Sequence, residues 1–161
     1  MQAIDGFAAT LVEELSRLHA QLRQAVEHLD EQTLAWHPGP DTNSISTIVV
    51  HVLGSEAELL RLAAGSPAQR DRPAEFAAPP ENASSLVARV DGADHLLEEL
   101  GPALERADLN ATFTRPSAVR NREPRTALFW LLNGYGHGRE HLAQIHLTQQ
   151  MFASGTGGSS A

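Results

Sequence analysis

His137 and His141 stand four residues apart in Gly136-His137-Gly138-Arg139-Glu140-His141-Leu142-Ala143-Gln144. On a helix this spacing points both imidazoles the same way, one turn apart, the simplest means of offering two nitrogens to one divalent ion. His51, in the apolar run Ile48-Val49-Val50-His51-Val52-Leu53, is the candidate third ligand. Three neutral imidazoles with a coordination position left open describe a reactive centre rather than a structural staple. The chain has no cysteine, which excludes disulfides, thiolate ligands and thiolate nucleophiles. A metal here must be held by His, Asp or Glu.

The pair alone says little. Eight histidines in 161 residues supply about 0.4 such pairs by chance, and a short motif needs context. Three features provide it. The helical wheel groups His137 and His141 with Ala127, Trp130, Gly134, Gln144 and Thr148, an uncharged face apart from the stripe of Leu128, Leu131, Leu132, Tyr135 and Leu142. His51 lies in a segment that reads as buried. Antiparallel packing of the two segments would bring all three rings to one height. The same residues spell H-x-x-E-H, the inverted zinc-peptidase pattern with Glu140 as base. That pattern needs a further acidic ligand, and no Asp or Glu follows Glu140. His28 and His95 read as solvated, His19 lies at the edge of an apolar stripe, and His37 lies in a Pro-rich loop. His146 falls on the Leu stripe and reads as a packed core histidine. No phosphate-binding glycine loop and no nucleophile-elbow pattern is present.

The elements that must position these residues are helical. Ile4, Phe7, Leu11, Leu15, Leu18, Leu22, Val26 and Leu29 predict a first helix over residues 3–29. Residues 30–43, with Trp36, Pro38, Gly39 and Pro40, break it. Ser44 is the expected N-cap of a second helix over residues 45–64, closed by Gly65. Its apolar stripe is Ile45, Ile48, Val49, Val52, Leu59, Leu60 and Ala63. Residues 66–81 carry four prolines and form a long irregular connection. A third helix starts at Asn82 or Ser84, its face Leu86, Val90, Ala93, Leu97, Leu100 and Leu104, with Pro102 as a kink or early stop. Residues 108–123 connect, extended near Thr112 and Thr114, and Pro124 fits the first turn of a fourth helix reaching about Phe152. The sequence thus reads as an all-α four-helix bundle over residues 1–153, with a Gly/Ser-rich disordered tail over residues 154–161. The long second connection suggests a crossover between parallel second and third helices. Gly134, Gly136 and Gly138 would allow another helix or a ligand to come close, or would loosen the helix.

Apolar content of 42% and a formal net charge of −8 fit a single folded domain and offer no basic cluster for phosphates, against a nucleic-acid partner. No apolar stretch approaches the ~20 residues that span a bilayer. No signal peptide is expected, and the cytoplasm is the expected location.

The ordered set Ser44-Ile45-Ser46-Thr47-Ile48-Val49-Val50-His51 and His137-Gly138-Arg139-Glu140-His141-Leu142-Ala143-Gln144, preceded by Leu34-Ala35-Trp36-His37-Pro38, resembles the DinB-like superfamily over residues 3–152. The resemblance implies an up-down-down-up bundle and a divalent metal, zinc or nickel, on a triad of His51, His137 and His141. It places Gln144 near that triad as a polar neighbour and implies pairing as homodimers. It also implies a class of thiol S-transferases and isomerases that use low-molecular-weight thiols such as mycothiol or bacillithiol. A small-molecule substrate or thiol is the expected partner. The alternative is a non-catalytic bundle that binds a metal or a partner helix.

Overall fold

The computed structural model describes residues 6–117 and 123–157. Among the described residues, six helices, α1 (Phe7–Val26), α2 (Glu31–Ala35), α3 (Ile45–Ala63), α4 (Arg72–Ala77), α5 (Ala83–Leu104) and α6 (Ala127–Gly157), accompany two short strands, β1 (Thr112–Phe113) and β2 (Arg125–Thr126). The four long helices, α1, α3, α5 and α6, form the bundle. Helices α1 and α3 each pack between α5 and α6. Directions follow from the side chains that meet. His19 and Arg23 of α1 reach Asp94 and Asp91 of α5, so that pair is antiparallel. Leu59 and Val52 of α3 face Gly134 and Gly138 of α6, again antiparallel. Tyr135, Arg139 and Gln149 of α6 reach Glu14, Gln21 and Ala25 of α1, a parallel pair. Helices α3 and α5 are therefore parallel, and the order is up-down-down-up with a crossover between them.

Local chemistry sets the helix ends. Ser44 caps α3 by accepting from the Thr47 amide at 3.2 Å, and Gly65 closes it at φ 74°, a left-handed conformation that suits glycine. Asn82 caps α5 through the Ser85 amide at 2.9 Å. The connections hold more structure than their prolines predict. Asp30 accepts from Thr33 N and starts α2, and Asp71 accepts from Ala74 N and starts α4 with Pro73 in its first turn. Pro102 sits inside α5, which continues to Leu104. Pro124 does not open the last helix. It leads into β2, which pairs antiparallel with β1, Thr112 opposite Thr126 and Phe113 opposite Arg125. Helix α6 begins at Ala127, with the Thr126 hydroxyl accepting from Phe129 N at 3.2 Å. The first helix ends at Val26, short of Leu29, and its expected start at residues 3–5 lies outside the described residues. Helix α6 runs through Ser154 to Gly157, within the segment expected to be disordered, because extending an existing helix adds a bond per residue fixed. The Ser154 hydroxyl donates to Gln150 O there at 2.8 Å. Residues 158–161 lie outside the described set.

The core is built from Leu11, Leu15, Leu18 and Leu22 of α1, Ile45, Val49, Val52 and Leu60 of α3, Leu86, Val90 and Leu97 of α5, and Leu131, Leu142 and Ile145 of α6. Each such side chain contributes about 1.5–3 kcal/mol through burial. The buried seam of α6 runs between the two faces that the wheel separates: Trp130, Leu131, Leu142, Ile145 and Thr148 are buried, while Leu132 is 52% exposed. His146 is exposed, not packed, because the seam passes on the side of Leu142 and Ile145. A Cβ at Gly134 would lie 2.8 Å from Leu59 Cδ1, and one at Gly138 would lie 2.5 Å from Leu18 Cδ2, so these two glycines set the approach of α3 and α1 to α6. Gly136 meets nothing within 4 Å.

His19 is not at an edge but fully buried at the bundle centre. Its Nδ1 meets Asp94 Oδ1 at 2.6 Å and its Nε2 meets Glu56 Oε1 at 2.8 Å, joining α1, α5 and α3. Burial opposes its charge, but the hydrogen bonds and charges of Glu56 and Asp94 outweigh burial and raise its pKa above 6.5.

Two outcomes follow from this packing. Gly136→Ala should stabilise the fold by about 0.5–1 kcal/mol through helix propensity, whereas Gly138→Ala should destabilise it by about 1–2 kcal/mol through overpacking against Leu18. Urea titration of both variants checks the opposite signs. A raised native pKa also means that the charged His19 stabilises fully below about pH 6.5, and that this contribution fades as pH climbs through the native value. His19→Ala should cost roughly 3–5 kcal/mol near pH 6 by stranding Glu56. The gap to wild type should narrow as pH rises through the native value; a constant gap from about pH 6 upward would exclude the charged histidine.

Candidate metal centre

The three histidines come from two antiparallel helices. His51 is on α3 and is buried; His137 and His141, on α6, are half-buried. One ring nitrogen from each lies within 4.8 Å of the others. His51 Nε2 and His137 Nε2 are 3.2 Å apart, and the ring centroids are separated by 5.2 Å (His51 and His137), 5.3 Å (His51 and His141) and 4.3 Å (His137 and His141). Two nitrogens ~2.0–2.1 Å from one tetrahedral ion lie about 3.3 Å apart. The His51–His137 spacing matches that of two ligands on one ion.

The protonation states suit the same role. Burial lowers the His51 pKa to about 4; the Glu75 hydrogen bond opposes this and the Arg70 charge adds to it. Burial, then the neighbouring His141 and His51, lowers His137 to about 4. Burial also lowers His141, against a hydrogen bond to Gln144. All three rings are therefore neutral at pH 7, each with one nitrogen lone pair to give. Two of them have the other nitrogen engaged. His51 Nδ1 donates to Glu75 Oε2 at 3.0 Å, and His141 Nδ1 donates to Gln144 Oε1 at 2.7 Å, which leaves Nε2 of each ring as the ligand atom. Gln144 thus lies beside the histidines, where the resemblance to the DinB-like superfamily implies it. Glu140 is exposed and stands apart from the three histidines.

A wall of charged side chains stands beside His51. Arg70 grips Glu75 with Nε to Oε1 at 2.6 Å and Nη2 to Oε2 at 2.7 Å, and its Nη1 reaches Glu58 Oε2 and Ser117 Oγ, both at 3.1 Å. Arg115 donates to Glu58 Oε2 and to Ser55 Oγ, each at 2.7 Å. Burial resists the Glu58 charge, but hydrogen bonds from Ser117 and Arg115 outweigh it and hold the carboxyl below the usual range. Two guanidiniums and two carboxylates cancel. Phe76 lies against the His51 ring at 4.8 Å between centroids, and Arg72 lies over Phe76 at 4.7 Å. None of Arg70, Glu75, Phe76, Glu58 and Arg115 stands out in the sequence. The one local signal is Asp71-Arg72-Pro73, a capping residue and a first-turn proline that mark α4 within the connection.

The sequence matches the DinB superfamily over residues 14–145. No match is found among curated proteins. The fold is similar to that of YfiT from Bacillus subtilis, described as "a probable metal-dependent hydrolase with an unusual four-helix bundle topology", with a TM-score of 0.71, 16% identity, and coverage of 94% of this chain and 91% of that one. At that identity the likeness speaks for the fold, while the family match spans most of the chain. This protein belongs to the DinB superfamily.

Proposed function

We propose that the protein binds one divalent ion, zinc or nickel, through His51, His137 and His141, and acts as a metal-dependent thiol S-transferase. The observation that carries this reading is the convergence of three neutral imidazoles, with two Nε2 atoms at 3.2 Å and with Nδ1 of His51 and His141 tied to Glu75 and Gln144. A divalent ion on neutral ligands keeps its double charge and acidifies a coordinated water or thiol by several pKa units. The protein's part is to hold the rings neutral and aimed, and to keep carboxylates off the open side. Glu75 has both oxygens on Arg70, and Glu140 points to solvent, so neither is placed as a general base. A nucleophile that loses its proton on binding suits such a site. With no cysteine in the chain, the thiol comes from a small molecule. The same site would serve hydrolysis if water took the place of the thiol, a second reading favoured by the fold shared with YfiT.

Purified untagged protein should contain zinc or nickel near one equivalent, and His137→Ala should lose it. Metal-free wild type with an intact fold would sink the proposal. With metal bound, conjugation of a generic electrophile by a low-molecular-weight thiol should fall to background in His51→Ala. Cleavage of an activated ester without thiol, lost in the same variant, would favour the hydrolase reading. Metal without either activity would leave a metal-binding bundle.

A further inference from the structure

Two neighbouring residues of α4, which lies outside the bundle, touch His51. Glu75 takes the proton side of the ring and Phe76 takes its face. We infer that Glu75 is the positioning residue of this centre, and that Gly54 is the slot that admits its carboxylate to His51. The inference rests on the metal reading above for its purpose, but not for its geometry.

Gly54 lies three residues beyond His51, inside α3. A glycine there costs about 1 kcal/mol relative to alanine. Its backbone does not demand glycine, since the positive φ values belong to Gly6 and Gly65. Space does demand it. A Cβ at position 54 would lie 2.4 Å from Glu75 Oε1, 3.2 Å from the Glu75 carboxyl carbon and 3.4 Å from Arg70 Nε. The carboxylate therefore rests against the bare backbone of α3. Held there, Glu75 gives Oε1 and Oε2 to Arg70, and Oε2 also accepts from His51 Nδ1. Arg70 is fixed in turn by Glu58, Ser117 and the His51 carbonyl oxygen, the last at 3.2 Å. Its Nη2 also lies 3.2 Å from His51 Nδ1, and the shorter Glu75 contact at 3.0 Å is the one that sets Nδ1 as the donor. The arrangement holds Glu75 still, with its acceptor aimed at one nitrogen. With the acceptor at Nδ1, the imidazole proton stays there and the Nε2 lone pair faces His137 and His141. Without it, the proton is free to occupy Nε2 and block the ligand atom.

Gly54→Ala separates this role from a merely structural one. It deletes no group of the ion-pair network and favours helix, but it pushes the tip of Glu75 away from its place between Arg70 and His51. Three measurements are made on wild type, Gly54→Ala and Glu75→Gln: melting temperature without metal, zinc affinity by calorimetric titration, and the His51 tautomer from imidazole ¹⁵N spectra of the metal-free protein. Whatever its melting temperature, Gly54→Ala should bind zinc roughly 10–100-fold more weakly, with a proton appearing on His51 Nε2. Glu75→Gln keeps an acceptor without its charge and should fall between the two. Wild-type affinity and tautomer in both variants would overturn the inference, as would a lowered melting temperature with unchanged affinity, which would make Glu75 only a latch. If wild-type protein takes no zinc, the metal proposal fails on its own. The tautomer then still decides: Nδ1–H in wild type and its loss in Gly54→Ala would uphold Glu75, and no change would refute it.

Discussion

Everything at the centre depends on how near α3 can come to α6. Imidazole side chains are short, and rings on two helices can converge on one point only if the backbones pass closely at that height. Gly134 receives Leu59 on one side of the triad, and Gly138, between the two α6 histidines, receives Leu18 with Val52 beyond. These are knobs seated in holes that a methyl group would fill. The candidate metal centre and the hydrophobic core are thus one piece of packing, and His51 and Val52 are neighbours on α3 serving each in turn.

Charge is arranged with the same economy. The three histidines are neutral because they are buried, and the wall beside them is neutral because Arg70 and Arg115 balance Glu58 and Glu75. Ion pairs at such burial are poor sources of stability, since desolvation offsets their attraction. Their value here is directional. Each carboxylate is held by at least two donors, so none is left to turn toward the histidines as an uninvited ligand. The second buried histidine cluster, His19 with Glu56 and Asp94, follows the opposite rule: there two carboxylates face the ring and favour its charged form.

The bundle and the triad were legible in the sequence because both rest on local periodicity. Ser44 and Gly65 bound α3 where capping chemistry places them, and the i, i+4 pair on α6 meets His51 as antiparallel packing requires. What periodicity does not carry was misread or missed. On α6 the apolar stripe and the uncharged face each look plausible, and only the neighbours select the seam between them, which exposes Leu132 and His146. His19 finds its partners 37 and 75 residues away, a pairing that no window on the sequence contains. Glu75 and Arg70 lie among prolines that argue for irregular chain, and their meaning comes entirely from where the crossover lands.

That crossover shows what the topology makes available. A parallel pair such as α3 and α5 cannot be joined by a tight turn, because the chain must travel back along the bundle before starting again. The entropy of closing such a loop grows only with the logarithm of its length, about 0.6 kcal/mol for each doubling. Once a long return path is unavoidable, additional residues in it are thermodynamically inexpensive and free of the core's packing rules. In this protein the return path passes the three histidines and leaves α4 there, with Glu75 and Phe76 on His51. The segment between α5 and α6 does likewise with Arg115 and Ser117. Variation confined to these two connections could therefore recast the surroundings of the three histidines while the helices that carry them stay the same.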